Sequence, residues 1–333
     1  MDLFFSLVIP VYNRPDEIRE LLDSLVLQSY KEPYEIVIVE DGSQQTSEDV
    51  VALFAEQLNI SYLFKPNSGP GDSRNYGMRK ATGNYFIILD SDCLLPPHYL
   101  TTVDETLKST YVDCFGGPDA AHKSFSKVQK AINYAMTSFV STGGIRGKAS
   151  SINKFQPRSF NMGISKAAFE STGGFGNIHP GEDPDLSIRL WNKGFKTSLI
   201  TEAFVYHKRR VDFNKFFIQV NKFGMVRPIL NSWHPKTAKL TYWFPTFFCA
   251  GLVLSLVLSA LGFNWLLYVY AGYCLLVLAD ALIKNKDISI AFLALISVLI
   301  QFFGYGYGFL KSTILITFSN RKPQELFPKL FFK

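Results

Sequence analysis

Three long apolar runs dominate the last third of the chain and limit its fold more than any other feature. Residues 242–261 and 289–310 carry no charged side chain, and residues 265–283 carry only Asp280. Each run approaches the roughly 20 residues that an α-helix needs to cross a bilayer. The alternative is a set of buried core helices. Because three such runs follow one another, we predict three transmembrane helices over these residues.

The charges beside these runs predict their orientation. Residues 208–239 hold eight Lys or Arg side chains and one acid, Asp212. A basic segment beside a membrane helix marks the cytosolic side and attracts anionic headgroups, although a merely solvated basic face is the alternative. The N-terminus lacks the basic region and the cleavage site of a secretory signal. We therefore expect a cytosolic first domain in a multi-pass protein of the cell (inner) membrane.

Two features near the C-terminus leave the topology open. Three crossings would place the tail, residues 319–333, outside the cell, yet this tail carries four basic side chains. Either the tail departs from the positive-inside rule, or residues 288–318 re-enter the membrane or lie at its interface. Residues 213–223 place five apolar side chains on one side of a helix. Such a helix suits the bilayer surface or core packing equally well.

The composition excludes several classes of protein. Charged residues make up 19% of the 333 residues, below the roughly 25% usual for soluble domains, and apolar residues make up 47%. The net charge is +6. These values exclude a disordered chain, a collagen-like chain and a disulfide-stapled miniprotein. The four cysteines show no C-x-x-C spacing, so we interpret them as reduced thiols.

Strand and helix patterns alternate in the first part of the chain. Apolar, β-branched runs predict strands over residues 3–11, 34–39, 60–64 and 85–89, with helices over 15–27, 47–58 and 72–81 between them. This alternation predicts an α/β domain with a doubly wound, mostly parallel sheet. Ligands of such sheets lie beyond the carboxyl ends of the strands. The residues expected there are 11–13, 40–41, 66–71 and 90–92.

Several of these strand ends carry charged or polar groups. Asp41 either accepts hydrogen bonds from a base or a sugar, or simply forms an Asp-Gly turn. Asp90 and Asp92 are two residues apart and repel each other unless a cation lies between them. Mg²⁺ and Mn²⁺ prefer such oxygen ligands and keep phosphates as further ligands. Arg74 follows a glycine-rich turn and offers a planar donor fork to phosphate or carboxylate.

A second acidic cluster occupies residues 180–185. Glu182 or Asp183 would act as a general base that takes a proton from an attacking hydroxyl. The structural alternative is that Asp183 is an N-cap before Pro184 and that Asp185 pairs with Arg189 four residues later.

Together these residues resemble the family 2 glycosyltransferases with the GT-A fold. The resemblance spans residues 6–207 and rests on six motifs that occur in order. They are Val-Ile-Pro-Val-Tyr-Asn (8–13), Glu-Asp-Gly-Ser (40–43), Gly-Pro-Gly-Asp-Ser-Arg-Asn-Tyr-Gly (69–77), Ala-Thr-Gly (81–83), Asp-Ser-Asp (90–92) and Gly-Glu-Asp-Pro-Asp-Leu (181–186).

The resemblance implies roles for individual residues. It implies that Asp92 coordinates a divalent metal that bridges the donor diphosphate, with Asp90 at the ribose or the sugar and as a second metal ligand. It implies that Asp183 of the Glu182-Asp183 pair is the base. His207 would add a metal ligand, although a lone histidine at a strand end is more often structural. The residues implied to bind the donor are Pro10, Tyr12, Asp41, Arg74, Asn75 and Asp90.

The resemblance also implies an activity. It predicts an inverting, metal-dependent transfer of one sugar from a nucleotide-diphosphate sugar to a lipid-linked or cell-envelope glycan acceptor, with Mg²⁺ or Mn²⁺ as cofactor and no nucleic-acid partner. Processive members carry Q-x-x-R-W before the membrane helices, whereas Gln219 is followed here by neither Arg nor Trp at these positions. A processive polysaccharide synthase and a non-catalytic membrane scaffold remain the alternatives.

The predicted organisation has four parts. A GT-A glycosyltransferase domain covers residues 1–210, and a basic interfacial segment covers 211–240. The all-α transmembrane region covers 241–318, and a basic tail covers 319–333.

Overall fold

The computed structural model describes residues 2–120, 125–143, 154–207 and 212–332. These residues divide into two compact units. We call residues 2–120, 154–207 and 331–332 the α/β unit, and residues 125–143 and 212–330 the helical unit.

Two sheets form the framework of the α/β unit. The strands are β1 (Phe5–Val11), β2 (Glu35–Asp41), β3 (Ile60–Lys65), β4 (Tyr85–Leu89), β5 (Cys93–Leu94), β6 (Cys114–Gly116), β7 (Asp119–Ala120), β8 (Asn161–Ser165), β9 (Thr197–Leu199) and β10 (Val205–His207). The main sheet has the order β3-β2-β1-β4-β8-β6-β9, and a smaller sheet has the order β5-β10-β7. Strands β1 to β4 are parallel, whereas β8 is antiparallel to both of its neighbours. The predicted mostly parallel α/β sheet is confirmed.

Helices cover the strands of the α/β unit as the apolar spacing predicts. They are α1 (Pro15–Val26), α2 (Glu48–Ala52), α3 (Pro70–Lys80) and α4 (Tyr99–Ser109), and, beyond residues 125–143 of the helical unit, α7 (Lys166–Thr172) and α8 (Glu182–Asn192). Helix α2 is shorter than the predicted 47–58. Beyond Ala52 the amides of Leu53, Phe54 and Gln57 bond three residues back, so the chain tightens into 3₁₀-like turns.

The parallel register brings the predicted strand ends to one edge of the sheet. Val11 pairs with Glu40, and Val8 pairs with Ile88, so β1, β2 and β4 end side by side. All residues of β2 and β4 are buried. Because these strands are fixed on both faces, the polar residues that follow them are held in place.

The helical unit contains the three predicted apolar segments. Its helices are α5 (Lys127–Thr137), α6 (Phe139–Thr142), α9 (Phe213–Trp233), α10 (Phe244–Ala260), α11 (Trp265–Asn285), α12 (Ile288–Phe318) and the short α13 (Pro323–Leu326). Three helical segments are long and apolar enough to cross a membrane: Leu240–Ala260, Trp265–Asn285 and Ile288–Phe318. The α/β domain is therefore followed by a helical region of the predicted kind.

Helix α12 is continuous through its glycine-rich stretch and packs closely on α9. A Cβ added to Gly308 would lie 2.4 Å from the carbonyl oxygen of Asn221, and one added to Gly224 would lie 2.2 Å from that of Tyr305. Small residues permit such close backbone approach between helices. Phe216 of α9 is fully buried while Phe217 is 42% exposed, so one face of the predicted amphipathic segment packs against helices of this unit.

Each compact unit combines segments that lie far apart in the chain. Helix α5 groups with the helical unit because the Tyr134 hydroxyl donates to Asp280 of α11 over 2.6 Å and the Ser138 hydroxyl donates to the same carboxylate over 3.0 Å. At the other end of the chain, Phe331 forms an antiparallel bridge with Ile178 and belongs to the α/β unit.

Candidate functional site

A buried arginine joins the two acidic clusters that the sequence singles out. Arg74 of α3 is only 3% exposed. Its Nη2 donates to Oδ1 of Asp90 over 2.7 Å, and its Nη1 donates to Oε1 of Glu182 over 3.2 Å. The guanidinium also lies 5.4 Å from the ring centroid of Phe175. The chain after β4 and the start of α8 therefore meet at one cation.

Left-handed glycines start both helices that supply this cluster. Gly69 precedes α3 with a φ of 93°, and Gly181 precedes α8 with a φ of 123°. Helix α8 begins at Glu182 with Gly181 as its N-cap, so Asp183 is the second residue of the helix. The alternative that Asp183 is the N-cap is therefore wrong. Arg189 does pair with Asp185 over 2.8 Å, as the spacing suggested.

The two neighbouring acids of α8 differ in their surroundings. Burial alone would raise the pKa of Glu182, but His179, whose Nδ1 lies 2.8 Å from Oε1, and Arg74 outweigh burial and lower this pKa. Burial and the adjacent Glu182 charge raise the pKa of Asp183 to about 6, against the opposing effect of Arg74. Oδ1 of Asp183 is buried and has no hydrogen-bond partner among the described residues. Asp183 is thus the acid better suited to accept a proton.

Burial would lower the pKa of Arg74, but the surrounding carboxylates outweigh it. Asp90, Glu182 and Asp183 together raise this pKa, so the guanidinium stays charged.

Asp41 is engaged by the turn beside it. Its carboxylate pairs with Lys65 over 2.5 Å and accepts the amides of Ser68 over 2.9 Å and of Gly69 over 3.0 Å. Lys65 is a contact that sequence reasoning missed. Asp41 therefore fixes the turn that leads into α3.

Asn75 likewise holds backbone. Its side-chain nitrogen donates to the carbonyl of Phe175 over 2.8 Å, and its side-chain oxygen accepts the amide of Phe175 over the same distance. The predicted contact of Asn75 with a donor stays a prediction. Tyr12, directly after β1, is 52% exposed, and Pro10 of β1 is partly exposed. Both side chains therefore offer accessible surface at this edge of the sheet.

The Asp90-Ser91-Asp92 segment supplies oxygens of the kind that Mg²⁺ and Mn²⁺ prefer. Asp90 has 31% of its side chain exposed beside Arg74, and one oxygen of Asp92 is buried. Among the described residues, no group of three or more His, Cys, Asp or Glu side chains is arranged so that it could hold a metal ion by itself. Two carboxylates fit a cation that takes its remaining ligands from a diphosphate and water.

Some predicted contacts fall outside the described part of the molecule. The backbone of His207 pairs with Cys93 in the smaller sheet, but its side chain is not among those described. Arg146 and Lys148 are two cations of a glycine-rich stretch, a pattern that favours phosphate contacts, and they also lie outside the described residues.

His179 and Phe332 were missed by sequence reasoning. His179 contacts Glu182, and the Phe332 ring lies 5.9 Å from the His179 ring between centroids. These residues are separated by more than 150 positions, and only the fold brings them together.

Comparison with known sequences gives a specific match. Residues 6–171 match the profile described as "Glycosyl transferase family 2". An uncharacterized glycosyltransferase of Rickettsia conorii is 33% identical over 133 residues, which cover 40% of this chain and 21% of that protein. The chain thus spans about a fifth of the length of this curated relative.

Solved structures share the fold at low sequence identity. The mannosyltransferase PcManGT from Pyrobaculum calidifontis, in complex with GDP-Man and Mn²⁺, aligns with a TM-score of 0.58 at 16% identity over 90% of this chain and 86% of that chain. TarS of Staphylococcus aureus in complex with UDP-GlcNAc aligns with a TM-score of 0.50 at 18% identity over 68% of this chain and 67% of that chain. The predicted GT-A fold is confirmed.

Proposed function

Because the chain belongs to glycosyl transferase family 2 through residues 6–171, we propose that it transfers a single sugar, with inversion, from a nucleotide-diphosphate sugar to a lipid-linked or cell-envelope acceptor. The observation that supports this proposal most is the buried Arg74, which contacts Asp90 on the donor side and Glu182 beside Asp183. In the proposed reaction, Asp90 would lie near the leaving group and Asp183 would accept the proton, and Arg74 links the two segments that carry them.

Asp183 is the general base in the proposed reaction. It takes the proton of an acceptor hydroxyl while that oxygen attacks the anomeric carbon of the donor sugar. The new carbon–oxygen bond forms as the bond between the anomeric carbon and the diphosphate oxygen breaks, and the nucleoside diphosphate leaves with the electron pair. One carboxylate is enough here, whereas hydrolases use a pair. Glu182 keeps its charge and holds Arg74 and His179 in place.

The donor would occupy the edge formed by the ends of β1, β2 and β4. Tyr12 and Pro10 offer exposed surface to a nucleoside, and Asp41 shapes the adjoining turn through Lys65 and the Gly69 amide. Asp92 and Asp90 would hold a divalent cation such as Mg²⁺ or Mn²⁺, which when bound offsets the negative charge of the diphosphate. Arg74 orients Asp90 at this position through its hydrogen bond to Oδ1.

The apolar helices support a membrane location. Three of them are long enough to cross a bilayer, and many of their large apolar side chains are exposed in the described structure. Such surface is compatible with lipid. We therefore place the α/β unit at the cytosolic face of the cell (inner) membrane, where an acceptor that stays in the bilayer would be presented to it.

A donor panel tests the proposal. The full-length protein in detergent is incubated with UDP-, GDP- and other nucleotide-sugars in the presence of Mg²⁺ or Mn²⁺, and released nucleoside diphosphate is measured. We expect hydrolysis of one donor, and its loss when EDTA removes the metal, because the charge on the leaving group is then uncompensated. With a polyprenyl-phosphate-linked acceptor, the product should grow by one sugar. Absence of hydrolysis with every donor would contradict the proposal, and longer products would contradict single transfer.

A further inference from the structure

Phe331 and Phe332 pack into the α/β unit. The amide of Phe332 donates to the carbonyl of Asn177 over 3.0 Å, and the side-chain amide of Asn177 donates back to the carbonyl of Phe332 over 3.4 Å. Phe331 bridges Ile178 in the antiparallel sense. Residues 331–332 are therefore held alongside the loop that leads into α8, although about 120 residues of the helical unit precede them in the chain.

The ring of Phe332 contacts both loops that shape the candidate site. On one side it lies against Gly69, where an added Cβ would come within 2.3 Å of the ring atom Cγ. On the other side its centroid lies 5.9 Å from that of His179, with the rings tilted by 52°. Gly69 donates its amide to Asp41, and His179 contacts Glu182. One side chain thus separates the donor-side turn from the loop that carries the acids.

His179 depends on this contact for part of its enclosure. Its side chain is 40% exposed even with Phe332 in place, while its partner Glu182 is only 5% exposed. Removing the ring would open one face of the imidazole to water and allow the side chain other rotamers. Because Glu182 also binds Arg74, a displaced imidazole would leave Glu182 held by Arg74 alone and free to shift beside Asp183.

From these contacts we infer that Phe332 is a positioning residue of the active site. Its ring keeps His179 against Glu182 and keeps the turn at Gly69 in its place beside the loop that leads into α8. The expected effect on turnover rests on the proposed function, whereas the expected effect of Phe332 on the position of His179 does not. The inference also requires residues 331–332 of the basic tail to lie on the same side of the membrane as the rest of the α/β unit. This holds regardless of which of the apolar helices cross the bilayer.

The test compares Phe332→Ala with two matched variants of the full-length protein. Phe332→Tyr keeps the ring, and Phe64→Ala makes the same change at a side chain of β3 that is 57% exposed. In ligand-free protein, the rate at which diethyl pyrocarbonate modifies His179 is followed by mass spectrometry. We expect this rate to rise several-fold in Phe332→Ala alone. For donor turnover we expect kcat to fall about 10- to 100-fold in Phe332→Ala, with a smaller change in KM and recovery in Phe332→Tyr.

The outcomes distinguish the proposed function from the positioning role of Phe332. An unchanged modification rate in Phe332→Ala would overturn the inference, and so would a faster rate with unchanged kcat. If the wild-type protein turns over no donor while His179 still becomes more reactive in Phe332→Ala, the proposed function fails and the contact with His179 stands.

Discussion

Replacing Asp183 by Asn is expected to abolish most sugar transfer while leaving donor binding intact. Asn has nearly the same shape but cannot take a proton, and general-base catalysis contributes about 10²- to 10⁴-fold. The buried Oδ1 without a partner among the described residues is the atom expected to receive the acceptor proton. Transfer rates with a polyprenyl-phosphate-linked acceptor and donor affinity by calorimetry measure the two effects separately.

The matched control is Asp185→Asn, which makes the same change two residues further along α8. Asp185 binds Arg189, and the amide oxygen of Asn can still accept from that side chain. We expect this variant to retain most of its activity. Normal turnover in Asp183→Asn would remove Asp183 from the role of base, and equal losses in both variants would indicate damage to the helix.

The pH dependence of the rate follows from the same carboxyl. Burial and the neighbouring Glu182 raise the pKa of Asp183 to about 6. A base acts only when deprotonated, so kcat should fall as the pH drops through this value and level off above it. Glu182→Gln removes one of the charges that raise the pKa of Asp183, so the acid limb should move to lower pH. A shift to higher pH in this variant would contradict the assignment.

The fold, and the sheet edge at which several candidate residues lie, could largely be predicted from the sequence. Buried strands such as 34–39 and 85–89 alternate with amphipathic helices, and this pattern alone places Asp90 and Asp41 at one sheet edge. The start of α8 was harder to predict. Asp183 followed by Pro184 resembles an N-cap, but Gly181 adopts a φ of 123° and the helix starts one residue before Asp183. A local pattern could not show which residue adopts the left-handed conformation.

The partners of the predicted residues could not be derived from the sequence. Asn75 lies within a family motif, yet both ends of its amide bind the backbone of Phe175, a hundred residues later. His179 and Phe332 carry no periodicity or motif, and their contact depends on the return of the chain from the helical unit. Such pairings are set by tertiary packing, which sequence spacing does not encode.

Replacing Arg74 by Met should destabilise the α/β unit as well as stop catalysis. Breaking a buried ion pair by removing one partner costs about 3–5 kcal/mol, because the remaining charge is buried without compensation. Glu182 is 5% exposed and would lose this partner, whereas Asp90 is 31% exposed and can be hydrated. For a unit of this size the melting temperature should fall on the order of 10 °C. Thermal unfolding of the purified full-length protein in detergent measures this change.

A double substitution shows whether the unpaired buried charge of Glu182 causes the loss of stability in Arg74→Met. Adding Glu182→Gln to Arg74→Met removes the buried carboxylate, so the double variant should be more stable than Arg74→Met alone and still inactive. Arg74→Lys should lie between wild type and Arg74→Met, since one ammonium keeps the charge but not the planar fork that reaches Asp90 and Glu182 together. If the double variant is less stable than Arg74→Met, then Glu182 is compensated mainly by His179 and the arginine stabilises the fold through its packing on Phe175.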